Sequence, residues 1–476
     1  EVAKLREGDF DEKLIEATIN NYKMQLMRSF EENDSRAILY VYSFISGADW
    51  ADEVARIDRM SKITKQDVVD WANKYLGPES YAIIYKREGK DPDEQKIAAP
   101  KITPIVTNRD SQSEFLSEIQ TSQVQPIEPV FVDYKKDMSQ FEAQPGIDVL
   151  YKKNETNDIF TLIYVFNTGT ENDPALNLAF NYLSYLGTDK MTAEEIASEM
   201  YDIACSFYMN AGANQSSIQI TGLSENMGKA MEIVEGLIAG AKPDEAILEN
   251  LKGDMLKSRA DAKLNQSRCF GALQRYLFYG GDFIRRTTLT DPALQALTSE
   301  QLLAKIGGLM GKQHEVLYYG PQKETEIKSA LAEHHKVAAD LQPLEKKFSA
   351  LLPTDANKVV LAQYDAKQLY YLQFSNRGEK FDVAADPEIT LYNEYFGGGM
   401  NTIVFQEMRE ARGLAYSAWA TLATPSNANG DYSYYAFIAT QNDKMQKAVE
   451  AFDDIINNMP ESEKAFGIAK EALVSR

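Results

Sequence analysis

The order of apolar and polar positions along this chain repeats itself. Ile159-Phe160-Thr161-Leu162-Ile163-Tyr164-Val165-Phe166 is rich in β-branched and aromatic residues and reads as an opening strand, with a turn and an apolar helix after it. Leu369-Tyr370-Tyr371-Leu372-Gln373-Phe374 has the same character and the same sequel. Two helices follow in each case, then further strands: Ser217-Ile218-Gln219-Ile220 in one copy and Tyr432-Ser433-Tyr434-Tyr435-Ala436-Phe437 in the other. Strands and helices in this order, without strict strand–helix alternation, predict an α+β fold. Its repeated two-layer units place helices on one face of a largely antiparallel sheet.

Other segments extend the repeat. Residues 14–36 line up with 246–268, and both are helical patterns that close on Ser-Arg, Ser35-Arg36 and Ser267-Arg268. Downstream, Ile63-Thr64-Lys65-Gln66-Asp67-Val68 stands opposite Leu297-Thr298-Ser299-Glu300-Gln301-Leu302. Thr64 and Thr298 are predicted helix N-caps, because a threonine hydroxyl accepts from the free N–H groups of a first turn. Each helix then gives way to a predicted short strand, Tyr81-Ala82-Ile83-Ile84-Tyr85 or Val316-Leu317-Tyr318-Tyr319. Met227-Gly228-Lys229-Ala230 likewise matches Met445-Gln446-Lys447-Ala448, and Lys257-Ser258-Arg259 matches Val474-Ser475-Arg476.

A period this long is that of a duplicated domain, not a solenoid. The alignments predict residues 1–95 as the C-terminal part of a unit that begins upstream and 96–146 as a linker. Residues 147–345 form a complete unit, and 346–476 a further unit whose end lies beyond Arg476. The linker reading rests on Pro100, Pro104, Pro126, Pro129 and Pro145, spaced by Ser, Gln and Asp with no sustained period.

Composition narrows the function classes. With 44% hydrophobic and 25% charged residues the chain is of ordinary globular make-up, and at 476 residues it exceeds a single core. No apolar run approaches the roughly 18–20 residues of a membrane span. Fifty basic against 71 acidic residues leave a net charge of -21, which repels phosphate backbones, so nucleic acid is not an expected partner. Two cysteines, Cys205 and Cys269, provide neither a disulfide framework nor a thiolate metal cluster, and leave open whether they pair. Localisation stays open between cytoplasm, periplasm and secretion, since Glu1-Val2-Ala3-Lys4 carries no targeting pattern.

The chemistry that is missing is informative. Of the three histidines, His334 and His335 are adjacent, which on a helix splays their rings by about 100°, and His314 stands apart. They read as surface or capping residues. None belongs to a His-Glu-x-x-His or His-x-x-Glu-His arrangement, which would put two imidazoles and a base on one helical face. No nucleophile elbow, P-loop or dinucleotide fingerprint occurs, and no metal site is expected in this chain.

The densest signal runs from Asn393 to Ser417, Asn-Glu-Tyr-Phe-Gly-Gly-Gly-Met-Asn-Thr-Ile-Val-Phe-Gln-Glu-Met-Arg-Glu-Ala-Arg-Gly-Leu-Ala-Tyr-Ser. Gly397, Gly398 and Gly399 are expected to end one helix with backbone angles closed to other residues, and Asn401 to cap the next. Phe405 and Met408 make a core stripe, and Gly413 stops the helix, leaving Tyr416 on the strand or loop beyond. Arg409 and Tyr416 can still converge.

This run resembles the second-half signature of the pitrilysin and insulinase family, zinc peptidases with an inverted His-x-x-Glu-His motif. The resemblance implies that Arg409 and Tyr416 reach across to a zinc site in the other half, grip the substrate and assist at the scissile carbonyl. An arginine fork and a phenol are suitable donors to an oxygen gaining negative charge. It places Gly398, Gly399 and Asn401 among the substrate-binding positions. The likeness also covers the repeat, because members of that family are built from four similar α+β units paired into halves by a long linker. Residues 1–95 then look like the end of the second unit, 147–345 like the third and 346–476 like the fourth, with the zinc motif in the first.

In the third unit Gly187-Thr188 matches the Gly-Thr that follows the histidines of a catalytic unit, which sets Leu178, Asn181 and Tyr182 where His, Glu and His would stand. None can replace them as a ligand or base. The implied function is the non-catalytic, substrate-binding half of a zinc endopeptidase that encloses and cleaves peptides, basic ones if its lining is acidic. Its partners would be peptide substrates and the N-terminal catalytic half that carries the zinc. The alternative is a catalytically inactive binding or assembly subunit of the same fold.

Overall fold

The computed structural model describes residues 1–77, 81–86, 89, 113–123, 128, 130–344, 348–400 and 402–474. The chain divides into two compact units, residues 1–16 with 51–132, and residues 17–50 with 133–476. Residues 96–112, 124–127 and 129 of the expected 96–146 linker lie outside the described residues, as do Asn401, Ser475 and Arg476.

In the first unit, helix Val2–Glu7 ends at Gly8 in the left-handed region (φ 73°), and Arg6 exchanges hydrogen bonds with Asn73 of helix Lys65–Tyr75. The predicted cap is present: Thr64 accepts from the Asp67 N–H while the Asp67 carboxylate accepts from the Thr64 N–H. Those bonds hold the Asp67 carboxyl below its usual range. The predicted strand over Tyr81–Tyr85 does not form; its Ile84 is 93% exposed. No strand occurs among the described residues of this unit, so a short apolar run has no ladder to join.

In the second unit the strands are β1 (Ser139–Gln144), β2 (Ile147–Lys153), β3 (Ile159–Phe166), β4 (Cys205–Ala211), β5 (Ser216–Leu223), β6 (His314–Gly320), β7 (Gln368–Ser375), β8 (Ser417–Ala423) and β9 (Ser433–Gln441). Among the described residues they make a six-stranded sheet ordered β1-β2-β6-β3-β5-β4 and a three-stranded sheet ordered β7-β9-β8. Every pairing is antiparallel except β2 with β6. The α+β class read from the sequence therefore holds.

Period-two alternation decides which face of β3 is covered. Phe160, Leu162, Tyr164 and Phe166 are buried, and they join a core with Leu178, Tyr182, Met231, Val234, Leu302 and Ile306 from helices Leu176–Leu183, Met227–Gly240 and Ser299–Met310. In the smaller sheet Ala436 and Ile438 of β9 meet Ala448, Phe452 and Ile455, which share one face of helix Met445–Asn457. Phe452 is fully buried, worth about 2–3 kcal/mol of apolar transfer. Two of these connections are alike. After β5 and after β9 a single 3-10 turn, Ser224–Asn226 and Asn442–Lys444, leads into Met227–Gly240 and Met445–Asn457 respectively. Thr298 makes the same capping box as Thr64.

The opposite face of the smaller sheet is also covered. Helix Gln266–Thr287, kinked at Gly280, sets Phe270 against Tyr370 (5.4 Å between ring centroids) and Phe437 (5.8 Å), and Phe278 against Phe374 (4.6 Å) and Tyr435 (5.2 Å). Odd-numbered positions of β9 face this helix while even-numbered ones face helix Met445–Asn457. Helices thus cover both faces here, the second face being filled by helix Gln266–Thr287.

Candidate functional site

The glycine-rich run folds as two π-helical segments around a turn. Helix Asp386–Tyr392 continues into Asn393–Gly397, where the Asn393 side-chain amide donates to the Leu422 carbonyl (2.9 Å) and its oxygen accepts from the Leu422 N–H (2.8 Å), tying the helix end to β8. The Tyr395 hydroxyl donates to the Pro460 carbonyl (2.8 Å) and accepts from the Ser462 N–H (2.9 Å).

The glycines are used differently from the expectation. None of Gly397, Gly398 and Gly399 has a positive φ; Gly398 sits at φ -122°, ψ -13°. What Gly397 provides is room, since a Cβ there would lie 2.3 Å from the Ala420 carbonyl oxygen. Gly398 opens to free space. Asn401, expected as cap and substrate contact, lies outside the described residues; the N-cap of the next helix is Thr402, whose hydroxyl donates to the Gly399 carbonyl (2.7 Å).

From Thr402 the chain runs Ile403–Phe405 and then Gln406–Ala411 in π geometry. Wide turns of this kind recur at functional sites because they rotate side chains off the regular helical face. Ile403, Val404 and Met408 are buried and hold the segment in the core, while Phe405 is half-buried at its rim. Gly413 ends the segment in the left-handed region (φ 58°), the stop read from the sequence, and Tyr416 N–H then bonds the Ala439 carbonyl (2.9 Å) at the start of β8.

This geometry brings Arg409 and Tyr416 together. The Arg409 guanidinium carbon lies 4.9 Å from the Phe405 ring centroid and 5.8 Å from that of Tyr416, so the planar cation is flanked by two aromatic rings. Tyr416 is 73% exposed. Glu410 is 3.8 Å from the Arg409 Nε, too far for a well-formed bond, which leaves guanidinium N–H groups and the phenol able to donate to an incoming carbonyl. Phe405 is the member of this cluster that sequence reasoning placed only in the core; its spacing of four before Arg409 was the available signal.

The positions aligned with a zinc motif do not fit a metal. Leu178 and Tyr182 are buried and Asn181 is exposed. The Tyr182 hydroxyl donates to Ser299 Oγ (2.7 Å) and accepts from the Asp244 N–H (2.7 Å), so this helix uses the site as a packing and hydrogen-bonding hub. Among the described residues no group of three or more His, Cys, Asp or Glu is placed to hold a metal ion. Cys205 and Cys269 are both free.

Two of the three histidines depart from the surface reading. His335 is the C-cap residue of helix Glu324–His334, yet it is buried, and His314 opens β6 in the core. Their ring nitrogens meet at 2.8 Å, with Glu235 on the far side of His335. Residues 21 and 100 apart in sequence carry no local pattern that would reveal this.

Residues 314–473 match the Peptidase M16 inactive domain, the family of the resemblance read from the sequence. An uncharacterized zinc protease of Streptomyces coelicolor is 23% identical over 266 residues, 52% of this chain and 56% of the relative. The chain thus spans little more than half the length of that protein. Among solved structures, a peptidase M16 inactive domain from Pseudomonas fluorescens aligns with a TM-score of 0.56 at 17% identity, over 71% of this chain and 83% of that one. The periplasmic protease PqqL from Escherichia coli aligns with a TM-score of 0.58 at 12% identity, over 99% of this chain and 55% of its own.

Proposed function

We propose that this chain, which carries a peptidase M16 inactive domain, is the substrate-gripping half of a zinc endopeptidase, in which Arg409 and Tyr416 meet a peptide carbonyl at a zinc site supplied by a separate N-terminal half. The single observation that carries this reading is the convergence of an arginine fork and an exposed phenol, with the Arg409 side chain itself 45% exposed. Such donors stabilise a carbonyl oxygen as it becomes an oxyanion. Zinc, base and attacking water belong to the other half, and no step of the reaction is assigned to a metal here. The net charge of -21 favours basic peptides.

A partner polypeptide is supported by helix Asn33–Ser46. Tyr40, Tyr42, Phe44 and Ile45 stand exposed on it, Phe44 at 87%, and so many exposed large apolar side chains on one helix suit an association surface. The same feature suits the second reading, an inactive binding or assembly subunit. The test separates them. In the whole protein, with its N-terminal half, Arg409→Ala and Tyr416→Phe are each expected to lower kcat/KM by about 10²–10³ while zinc content and fold stay unchanged. Unaltered turnover in both variants rules out the gripping role, and a whole protein without His-x-x-Glu-His rules out the peptidase.

A further inference from the structure

Three ionisable side chains from three elements meet inside the six-stranded unit. His314 opens β6, His335 follows helix Glu324–His334, and Glu235 comes from helix Met227–Gly240. Their contacts form a continuous line: the Lys312 carbonyl lies 2.8 Å from His314 Nδ1, His314 Nε2 lies 2.8 Å from His335 Nε2, and His335 Nδ1 lies 2.5 Å from Glu235 Oε1. Both rings are buried, at 4% and 5% exposure. From β3, the Tyr164 ring lies against His335 (4.2 Å between centroids) and the Phe166 ring against His314 (4.7 Å). The groups that face the pair are therefore Glu235 from the helix, Tyr164 from β3 and the rings themselves. Burial and the Glu235 carboxylate keep the Tyr164 hydroxyl protonated well above its usual range.

The contacts dictate a proton count. A carbonyl oxygen can only accept, so His314 must carry its hydrogen on Nδ1, and burial, which disfavours its imidazolium, leaves a lone pair on Nε2. His335 must then present an N–H at Nε2, because two lone pairs 2.8 Å apart repel. With Nε2 protonated, the contact from His335 Nδ1 to Glu235 needs one more proton, held either by the ring as an imidazolium or by the carboxyl. Either placement gives the line one proton more than an ionised glutamate and two neutral imidazoles contain.

We propose that the Glu235–His335–His314 line takes up this proton as the unit folds, and so makes the seating of helix Glu324–His334 against the sheet sensitive to pH. The sign follows from linkage. Above the ordinary histidine value of about 6.5 the unfolded chain holds no extra proton on these groups and the folded chain holds one, so stability falls as pH rises. Below it the unfolded chain takes two while the folded line keeps one, since burial lowers the His314 pKa to about 4, so stability falls again as pH drops. Stability therefore peaks near the ordinary histidine value, and the folding constant changes by up to about tenfold per pH unit on either side.

The test compares the 476-residue chain with His314→Gln, whose amide N–H can donate to a neutral His335 and removes the need for the extra proton. Urea unfolding between pH 6 and 9 is expected to show the folding constant falling by up to about tenfold per unit in the parent chain and markedly less in the variant. A pH-independent parent, or a variant with the same slope, overturns the proposal. Should the variant not fold, nitrogen spectra of histidine-labelled parent chain at pH 7.5 decide: both rings bare at Nε2 would overturn it, whereas an N–H at His335 Nε2 supports it. One tightly bound zinc per chain that vanishes in His314→Gln would also overturn it, by placing a metal between the rings.

Discussion

Tyr182→Phe isolates what the helix Leu176–Leu183 does in place of holding a metal. The ring is fully buried and stays in the variant; only the hydroxyl goes. That hydroxyl accepts from the Asp244 N–H at 2.7 Å and donates to Ser299 Oγ at 2.7 Å, with the Asp244 carbonyl at 3.1 Å. Ser299 is wholly buried, so no water replaces the lost partner there. Asp244 is also the N-cap of helix Glu245–Lys263, its carboxylate accepting from Ala246 (2.9 Å) and Ile247 (3.1 Å), so loosening it weakens that helix start. Leaving buried polar groups unpaired costs about 1–3 kcal/mol, and a mid-range value of about 2 lowers the folding constant by roughly thirtyfold. Urea unfolding followed by far-UV circular dichroism reads the total, and hydrogen exchange over residues 244–248 reads the local part. Tyr185→Phe, on an exposed ring of the same segment, is the neutral control. A loss under about 0.5 kcal/mol with unchanged exchange would refute the hub reading.

Other outcomes follow from the same reasoning. Gly397→Ala should destabilise by about 1–3 kcal/mol, because its Cβ meets the Ala420 carbonyl at 2.3 Å, whereas Gly398→Ala should fall within about 1 kcal/mol; equal effects in thermal melts would remove the close-approach argument. Burial pushes the Cys205 thiol up to about 12, so at pH 8 it should resist iodoacetamide in the folded chain and react once urea unfolds it, as mass spectrometry of the alkylated peptide would show. Rapid native labelling at that residue would contradict the burial. The isolated chain should carry no stoichiometric zinc; metal analysis finding one tight ion per chain would overturn that expectation.

Much of the architecture was legible because its signals are local. The alternation over Ile159–Phe166 becomes β3 with the same bounds, Thr64 and Thr298 cap the helices they precede, and Gly413 stops its segment in the left-handed region. Each of these depends on a residue and its neighbours within a few positions. The failures share the opposite property. Tyr81–Tyr85 has strand composition, but a strand needs a ladder partner, and composition does not supply one. Gly397 looked like a backbone-angle glycine and proved to be a spacing glycine, which depends on a carbonyl 23 residues away.

The candidate site divides along the same line. Sequence alone determined that this chain holds no His-x-x-Glu-His, that Arg409 and Tyr416 flank a glycine stop, and that similar runs of strand and helix pattern recur along it, since residue identity, spacing and repetition are written in linear order. Tertiary structure decided that Phe405 flanks the Arg409 guanidinium, that Phe270 and Phe278 cover the three-stranded sheet, and that two buried histidines line up with Glu235. Those contacts join residues from different elements, and packing sets their distances and desolvation, which no local pattern along the chain encodes.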